Sequence, residues 1–285
     1  MGGVEQERIL FTLRLPVRVT GASVDSILVA VLNRDRAIVA FGLAGLAILS
    51  WIYLICMDWG MRHMDVGIQM VIMPAMEHWT AWDLVLLFLM WAIMMVAMMV
   101  PASSPMILLF AEINRRRHKQ QGKLVATGLF LLGYLMAWTA FSVLATLAQW
   151  GLLTAALVSP MMKSTSNALG AALLLVAGLF QFSRLKYACL AHCRSPIGFF
   201  ATEWRDGLWG AFRMGLKHGA YCLGCCWALM LLLFAFGVMN LLWVASLSIL
   251  ILAEKIAPFG RLVSSIGGLG FIGWAAWIAF GPTPR

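Results

Sequence analysis

Residues 221–227 read YCLGCCW, with three cysteines in five positions, and residues 189–193 read CLAHC, with two more. On a helix Cys189 and Cys193, four apart, share a face, and Cys222 and Cys226 repeat that spacing with Cys225 three positions along. His192 stands beside the first pair, and His218 lies one turn before Cys222. Two matched thiol groups admit four chemistries: a disulfide pair, a structural zinc clamp, a thiol redox relay or a soft-metal site. A lone cysteine in an apolar run is most simply a small buried hydrophobe; five in two groups of the same shape ask for more. Four thiolates suit Zn2+ and equally suit Cu(I), so the thiols alone leave the metal open.

Thioethers add a second soft donor. The chain has 19 methionines, and the stretch 82–106, WDLVLLFLMWAIMMVAMMVPASSPM, concentrates them. Met90, Met94 and Met98 lie four apart and Met95 and Met99 are four apart beside them, a stripe along one helix face. Thioether and thiolate select Cu(I), whereas zinc has little use for methionine. A bare cation at the centre of a bilayer is costly, and a neutral, polarizable ladder is one way to solvate it; filling gaps between helices is the other use of methionine. Pro101 and Pro105 follow, and each frees the carbonyl four residues back, that of Ala97 and that of Pro101. Within a membrane these must be met by a neighbouring helix, a hydroxyl or a polar cavity, and Ser103 and Ser104 lie between them. The loop 57–78 then offers Met57, Met61, Met64, Met70, Met73, Met76, His63 and His78 beside Asp58, Asp65 and Glu77. Methionine and imidazole survive as ligands in an oxidising compartment, where thiols do not, and both suit copper.

The elements that must carry these residues are membrane helices. The composition is 62% hydrophobic and 12% charged, far from the soluble norm of roughly 45–50% and about 25%. Several apolar runs reach the roughly 20 residues that cross a hydrocarbon core. The expected fold is an all-α polytopic transmembrane bundle of about seven spans, near 37–57, 82–106, 125–148, 168–188, 220–238, 240–256 and 262–280. A basic, amphipathic segment, 1–36, precedes one metal-binding transmembrane domain, 37–285, and its mixture of arginines and acids is unlike a cleavable signal peptide. Only Met239 and Asn240 separate the fifth and sixth spans, which requires a tight antiparallel hairpin.

The net charge of +9 is a statement about topology rather than a nucleic-acid partner. Eighteen of the 21 Lys and Arg fall in the N-terminal segment and alternate loops, against Arg62, Lys163 and Arg285 elsewhere. That asymmetry puts the N-terminus in the cytoplasm and the C-terminus in the periplasm. Both thiol groups then face the reducing cytoplasm, where a standing disulfide is disfavoured and thiols remain free for metal. Two basic stretches read as interfacial helices: one capped by Ser23 with Val24, Ile27, Leu28, Val31 and Leu32 on a stripe, and one carrying Trp209, Phe212, Met214 and Leu216 among Arg213 and Lys217. Glu254 and Lys255, at the cytoplasmic end of the sixth span, are expected to snorkel.

Three stretches also resemble a known family, the bacterial predicted metal-binding integral membrane proteins, formerly a domain of unknown function, which includes a membrane protein described as the copper chaperone of a bacterial tyrosinase. The first is WAIMMVAMMVPASSP, through Trp91, Met94, Ala97, Met98, Met99, Pro101 and Pro105. The second is LKYACLAHCRSP, through Leu185, Lys186, Cys189, Leu190, Cys193, Arg194, Ser195 and Pro196. The third is GLKHGAYCLGCCWALM, through Gly215, Gly219, Cys222, Gly224, Cys225, Cys226, Trp227, Leu229 and Met230, with Met239-Asn240 and Glu254-Lys255 beyond it. The family pattern has a proline where this chain has Arg184, and a basic residue where it has His192. The resemblance implies a bacterial inner-membrane protein that binds metal, with copper the expected ion and a cuproenzyme or soluble copper carrier the expected partner.

The expected ligands are therefore Cys189, Cys193, Cys222, Cys225, Cys226 and His218 at the thiol end, with Met94, Met95, Met98 and Met99 in the membrane. Cu(I) is the expected ion, with Zn2+ the alternative, and the role is binding and delivery or transport rather than catalysis. Two rivals remain: a membrane thiol–disulfide oxidoreductase cycling Cys222 and Cys225, whose thiols a helix N-terminus would activate, and an assembly subunit clamped by structural zinc.

Overall fold

The computed structural model describes residues 21–62, 80–117, 123–155, 167–238 and 240–280. The chain divides into two compact units, Met1–Ile38 and Val39–Arg285. In the first, residues 21–38 are the opening turns of a helix, so Ser23 lies inside it and is not its cap; the second unit carries everything below.

All regular structure among the described residues is helical: α1 (Gly21–Arg62), α2 (Ala81–Arg117), α3 (Lys123–Thr154), α4 (Asn167–Phe180), α5 (Arg184–Arg194), α6 (Pro196–Glu203), α7 (Gly207–Phe236), α8 (Leu241–Ile256) and α9 (Gly260–Phe280). Among the described residues, five stretches are long and apolar enough to cross a membrane: Arg36–Gly60, Ala81–Arg117, Leu124–Thr154, Gly207–Phe236 and Gly260–Phe280. The pair α4 and α5, bent by 62°, is a broken span or a re-entrant loop and makes a sixth if it crosses as one. α8 has 16 residues and rises about 24 Å, somewhat less than a hydrocarbon core of roughly 30 Å. Leu144, Ile249, Trp277 and Phe280 on the outer surfaces are exposed, an apolar exterior suited to lipid.

Three local features differ from the regular spans expected. The run 168–188 is not one straight helix. α4 stops at Phe180, the chain turns through Gln181–Ser183, and Ser183 caps α5 by accepting from Lys186 N at 3.1 Å. Arg184 is thus the first residue of a helix, the position a proline favours; here the serine cap starts α5 without one. Second, the basic stretch 209–217 is no separate surface helix but the first half of the 30-residue α7. It is held against α3 by close backbone approach: a Cβ on Gly215 would strike Phe130 O, and one on Gly133 would strike Phe212 O. Small residues at such a crossing let two helices meet backbone to backbone. Third, the α7–α8 hairpin turns at Gly237, whose φ of 98° suits a residue without a Cβ, and Phe236 stacks on Trp243 at 3.9 Å across it.

The Arg117 guanidinium lies over the Trp204 ring at 4.7 Å and Lys217 pairs with Glu203. The end of α2, the end of α6 and the first half of α7 therefore share one basic end of the bundle. A core of Phe110, Phe130, Phe199, Phe200, Met106 and Met214 fills that end. The larger core holds the α2 methionines from Met90 to Met99, Trp91, Tyr134, Trp138 and the cysteines of α7.

Candidate metal centre

α5 and α7 are neighbours, as convergence of the two thiol groups requires. Cys222 is the centre of the arrangement. Lys255 Nζ donates to its Sγ at 2.9 Å, and the Tyr134 hydroxyl lies 3.2 Å from the same sulfur. Cys225 and Cys226 each donate to the Cys222 carbonyl, at 3.0 and 2.9 Å. From α5, Cys193 comes close enough to Cys225 for the two thiols to interact. Cys189 Sγ lies over Gly224, where a Cβ would come within 2.7 Å of it; the glycine of GCCW makes room for a thiol of the other helix. The five cysteines are thus gathered in one place, and all six in the chain, Cys56 included, are free thiols. Among the described residues, no group of three or more His, Cys, Asp or Glu side chains is arranged to hold a metal ion. Two of the thiols, those of Cys225 and Cys226, are turned onto their own helix's carbonyl.

The methionines lie where the stripe placed them. Met90, Met94, Met95, Met98 and Met99 are all buried in the same core as Cys222, Cys225 and Cys226. One polar link joins stripe to thiols: Tyr134 Oη donates to Met99 O at 3.1 Å and touches Cys222. The carbonyls freed by the prolines find partners without a cavity. Ala97 O accepts Trp51 Nε1 at 3.1 Å, and Pro101 O accepts the Ser104 hydroxyl at 2.8 Å.

His218 is buried, 2% exposed, with its ring stacked near Tyr134 and Phe130 at centroid distances of 5.5 and 6.2 Å. Its Nδ1 has no hydrogen-bond partner. His192 stacks instead on Tyr221 at 4.2 Å. Residues 63–79, which hold most of the Met/His loop, lie outside the described residues.

Glu254 and Lys255 do not snorkel: they are only 2% and 8% exposed. Adjacent residues on a helix point about 100° apart, so each finds a different helix. Glu254 Oε2 pairs with Lys186 Nζ at 2.7 Å and its Oε1 accepts Gln181 Nε2 at 3.0 Å, while Lys255 reaches Cys222. Arg194 donates to the carbonyls of Glu254, Ala257 and Pro258 and so caps the end of α8. Lys186, Gln181 and Tyr134 are the site residues that sequence reasoning missed. A lysine three positions before Cys189, in the stretch LKYACLAHC, is the signal that was there to read, since ionisable groups in membrane helices mark function by default.

A family described as "PpoB2: Copper chaperone" has a model that matches residues 88–278, more than half of the chain. The match spans the methionine stripe, both thiol groups and the Glu254-Lys255 pair. No curated protein matches the chain, and neither does any solved structure.

Proposed function

Because the chain belongs to the PpoB2 copper chaperone family, we propose that it binds Cu(I) at the gathered thiols and passes it through the membrane core, to or from a cuproenzyme or a soluble copper carrier. The reading places it in a bacterial inner membrane with the N-terminus and the thiol end in the cytoplasm. The bent pair α4–α5 and the short α8 would then complete seven crossings. Copper is cargo here, and the chain performs no catalysis.

One observation carries this reading: two helices bring five thiols to one buried place that also holds the methionine stripe. Cys189, Cys193, Cys222, Cys225 and Cys226 are the proposed thiolate ligands, and Met94, Met95, Met98 and Met99 the thioether ligands. Cu(I) bound by two thiolates carries net negative charge, and a buried charge needs a partner. The Lys255 ammonium, already on Cys222, supplies it. Passage is a series of ligand exchanges between soft donors, each bond to sulfur forming as the previous one breaks, with no change in oxidation state. A structural zinc site closes four ligands around one ion, and thiols with thioethers beside them suit zinc less. The redox rival is weakened by Cys225 Sγ turning to the Cys222 carbonyl rather than to its sulfur.

Purified under reducing conditions with copper and zinc both supplied, the protein is expected to take Cu(I) into a sulfur environment seen by X-ray absorption. Changing Cys222 and Cys226 together to Ser is expected to remove most of it. Zinc held by four sulfurs with copper excluded overturns the copper reading in favour of the clamp.

A further inference from the structure

A cavity of about 150 Å³ opens between α2, α5, α7 and α8 at the end of the bundle that carries Arg194. Met106, Cys193, His218 and Lys255 line it. Of the five gathered cysteines only Cys193 does so, and Cys193 also lies within interaction range of Cys225 in the thiol cluster. The histidine that lines it is buried, its ring stacks near Tyr134 and Phe130, and its Nδ1 is unpartnered. Buried polar atoms are nearly always hydrogen-bonded, so such an orphan asks for a ligand. A neutral imidazole with its proton on Nε2 offers the lone pair of Nδ1. Met106 brings a thioether to the same space.

We propose that this cavity is an exchange site for Cu(I), distinct from the thiol cluster, in which His218 Nδ1, Met106 Sδ and Cys193 Sγ hold the ion and Cys193 passes it to Cys225. The proposal rests on the copper reading above and adds the place where a carrier's thiol meets the ion. The donor set is soft sulfur plus imidazole, which suits copper. The volume is several times the share of a water molecule in the liquid, about 30 Å³, so an ion and an incoming donor atom fit together. Transfer balances as ligand exchange: the carrier's sulfur–copper bond breaks as the Cys193–copper bond forms, and then the Cys193 bond breaks as that to Cys225 forms.

The test loads the full-length protein in detergent with Cu(I) and follows transfer to and from bicinchoninate, a Cu(I) chelator. His218→Phe keeps the ring stack and removes the nitrogen, and Met106→Leu keeps the volume and removes the sulfur. In the parent, X-ray absorption is expected to show a nitrogen neighbour beside sulfur, and His218→Phe to lose it. Exchange in both variants is expected to slow by about tenfold or more, the scale on which even supporting groups act at metal sites. Copper held through Cys222 and Cys226 is expected to persist in both. Sulfur-only coordination in the parent, or variants that exchange as fast as the parent, overturns the cavity site and leaves the thiol cluster standing. A parent that binds no copper overturns the copper reading with it. If His218→Phe fails to insert, the Met106→Leu exchange rate decides the matter alone.

Discussion

Lys186 and Glu254 form an ion pair with both side chains sealed from solvent, 68 positions apart in the chain. Such a pair is weak evidence of net stabilisation, because removing two charges from water costs about as much as their attraction returns. Its geometry matters for a different reason: it ties the first turn of α5, which carries Cys189 and Cys193, to the helix that carries Lys255. Lys186→Met strands the Glu254 carboxylate and is expected to cost about 3–5 kcal/mol, seen as a lower midpoint in thermal unfolding in detergent. The double change Lys186→Met with Glu254→Leu removes both charges and is expected to recover most of that loss. A single mutant as stable as the parent shows that water reaches the carboxylate and that the pair does not hold α5 in place.

α2 runs unbroken from Ala81 to Arg117 with Pro101 and Pro105 inside it, beside the methionine stripe, and the two features are independent. The carbonyls that Pro101 and Pro105 free are both met, by Trp51 and Ser104, so the prolines need no ion path to explain them. The stripe is therefore tested by itself. Replacing Met94 and Met98 together with Leu conserves volume and apolarity, and such swaps usually cost less than about 1.5 kcal/mol. The variant is expected to insert and fold as the parent does, yet to fail in copper uptake or in metallation of a secreted cuproenzyme at limiting copper, because leucine has no lone pair. Restoring either methionine should bring back part of the activity. Parental copper handling by the double variant would make the stripe core packing and leave the thiol end as the whole of the metal chemistry.

Across the molecule, basic side chains on α2 and the first half of α7 share one end with α6. Asymmetry of that kind orients membrane proteins with the basic end inward. A reporter fused after Arg117 is expected to read cytoplasmic. A reporter fused near Asp65, in the stretch that follows α1, is expected to read external. An external reading at Arg117 reverses the molecule and puts the five thiols in an oxidising compartment, where disulfide exchange becomes the leading chemistry.

Much of this architecture is written locally. Apolar runs of membrane length are visible wherever hydropathy is read, and a spacing of four puts Cys189 with Cys193, and Met94 with Met98, on one face whatever surrounds them. The sequence by itself therefore determined an all-helical apolar bundle, the thiol and thioether faces, and the α7–α8 hairpin across its short loop. What it left open depends on which helix stands beside which. The fates of Glu254 and Lys255 turned on partners 68 and 33 positions away, and snorkelling looked sufficient because no local pattern names those partners. The half of α7 that reads as a surface helix is drawn into the bundle by the backbone contacts of Gly215 and Gly133 with α3. The bend at Gln181–Ser183 falls where the expected span turns polar, at Gln181, Ser183, Arg184 and Lys186, and an averaged hydropathy passes over it; the serine cap and the buried Gln181–Glu254 contact hold the chain at that turn. Periodicity and hydropathy are properties of a segment, whereas ion pairs, close crossings and bends are decided by the packed neighbours, and those exist only in the tertiary structure.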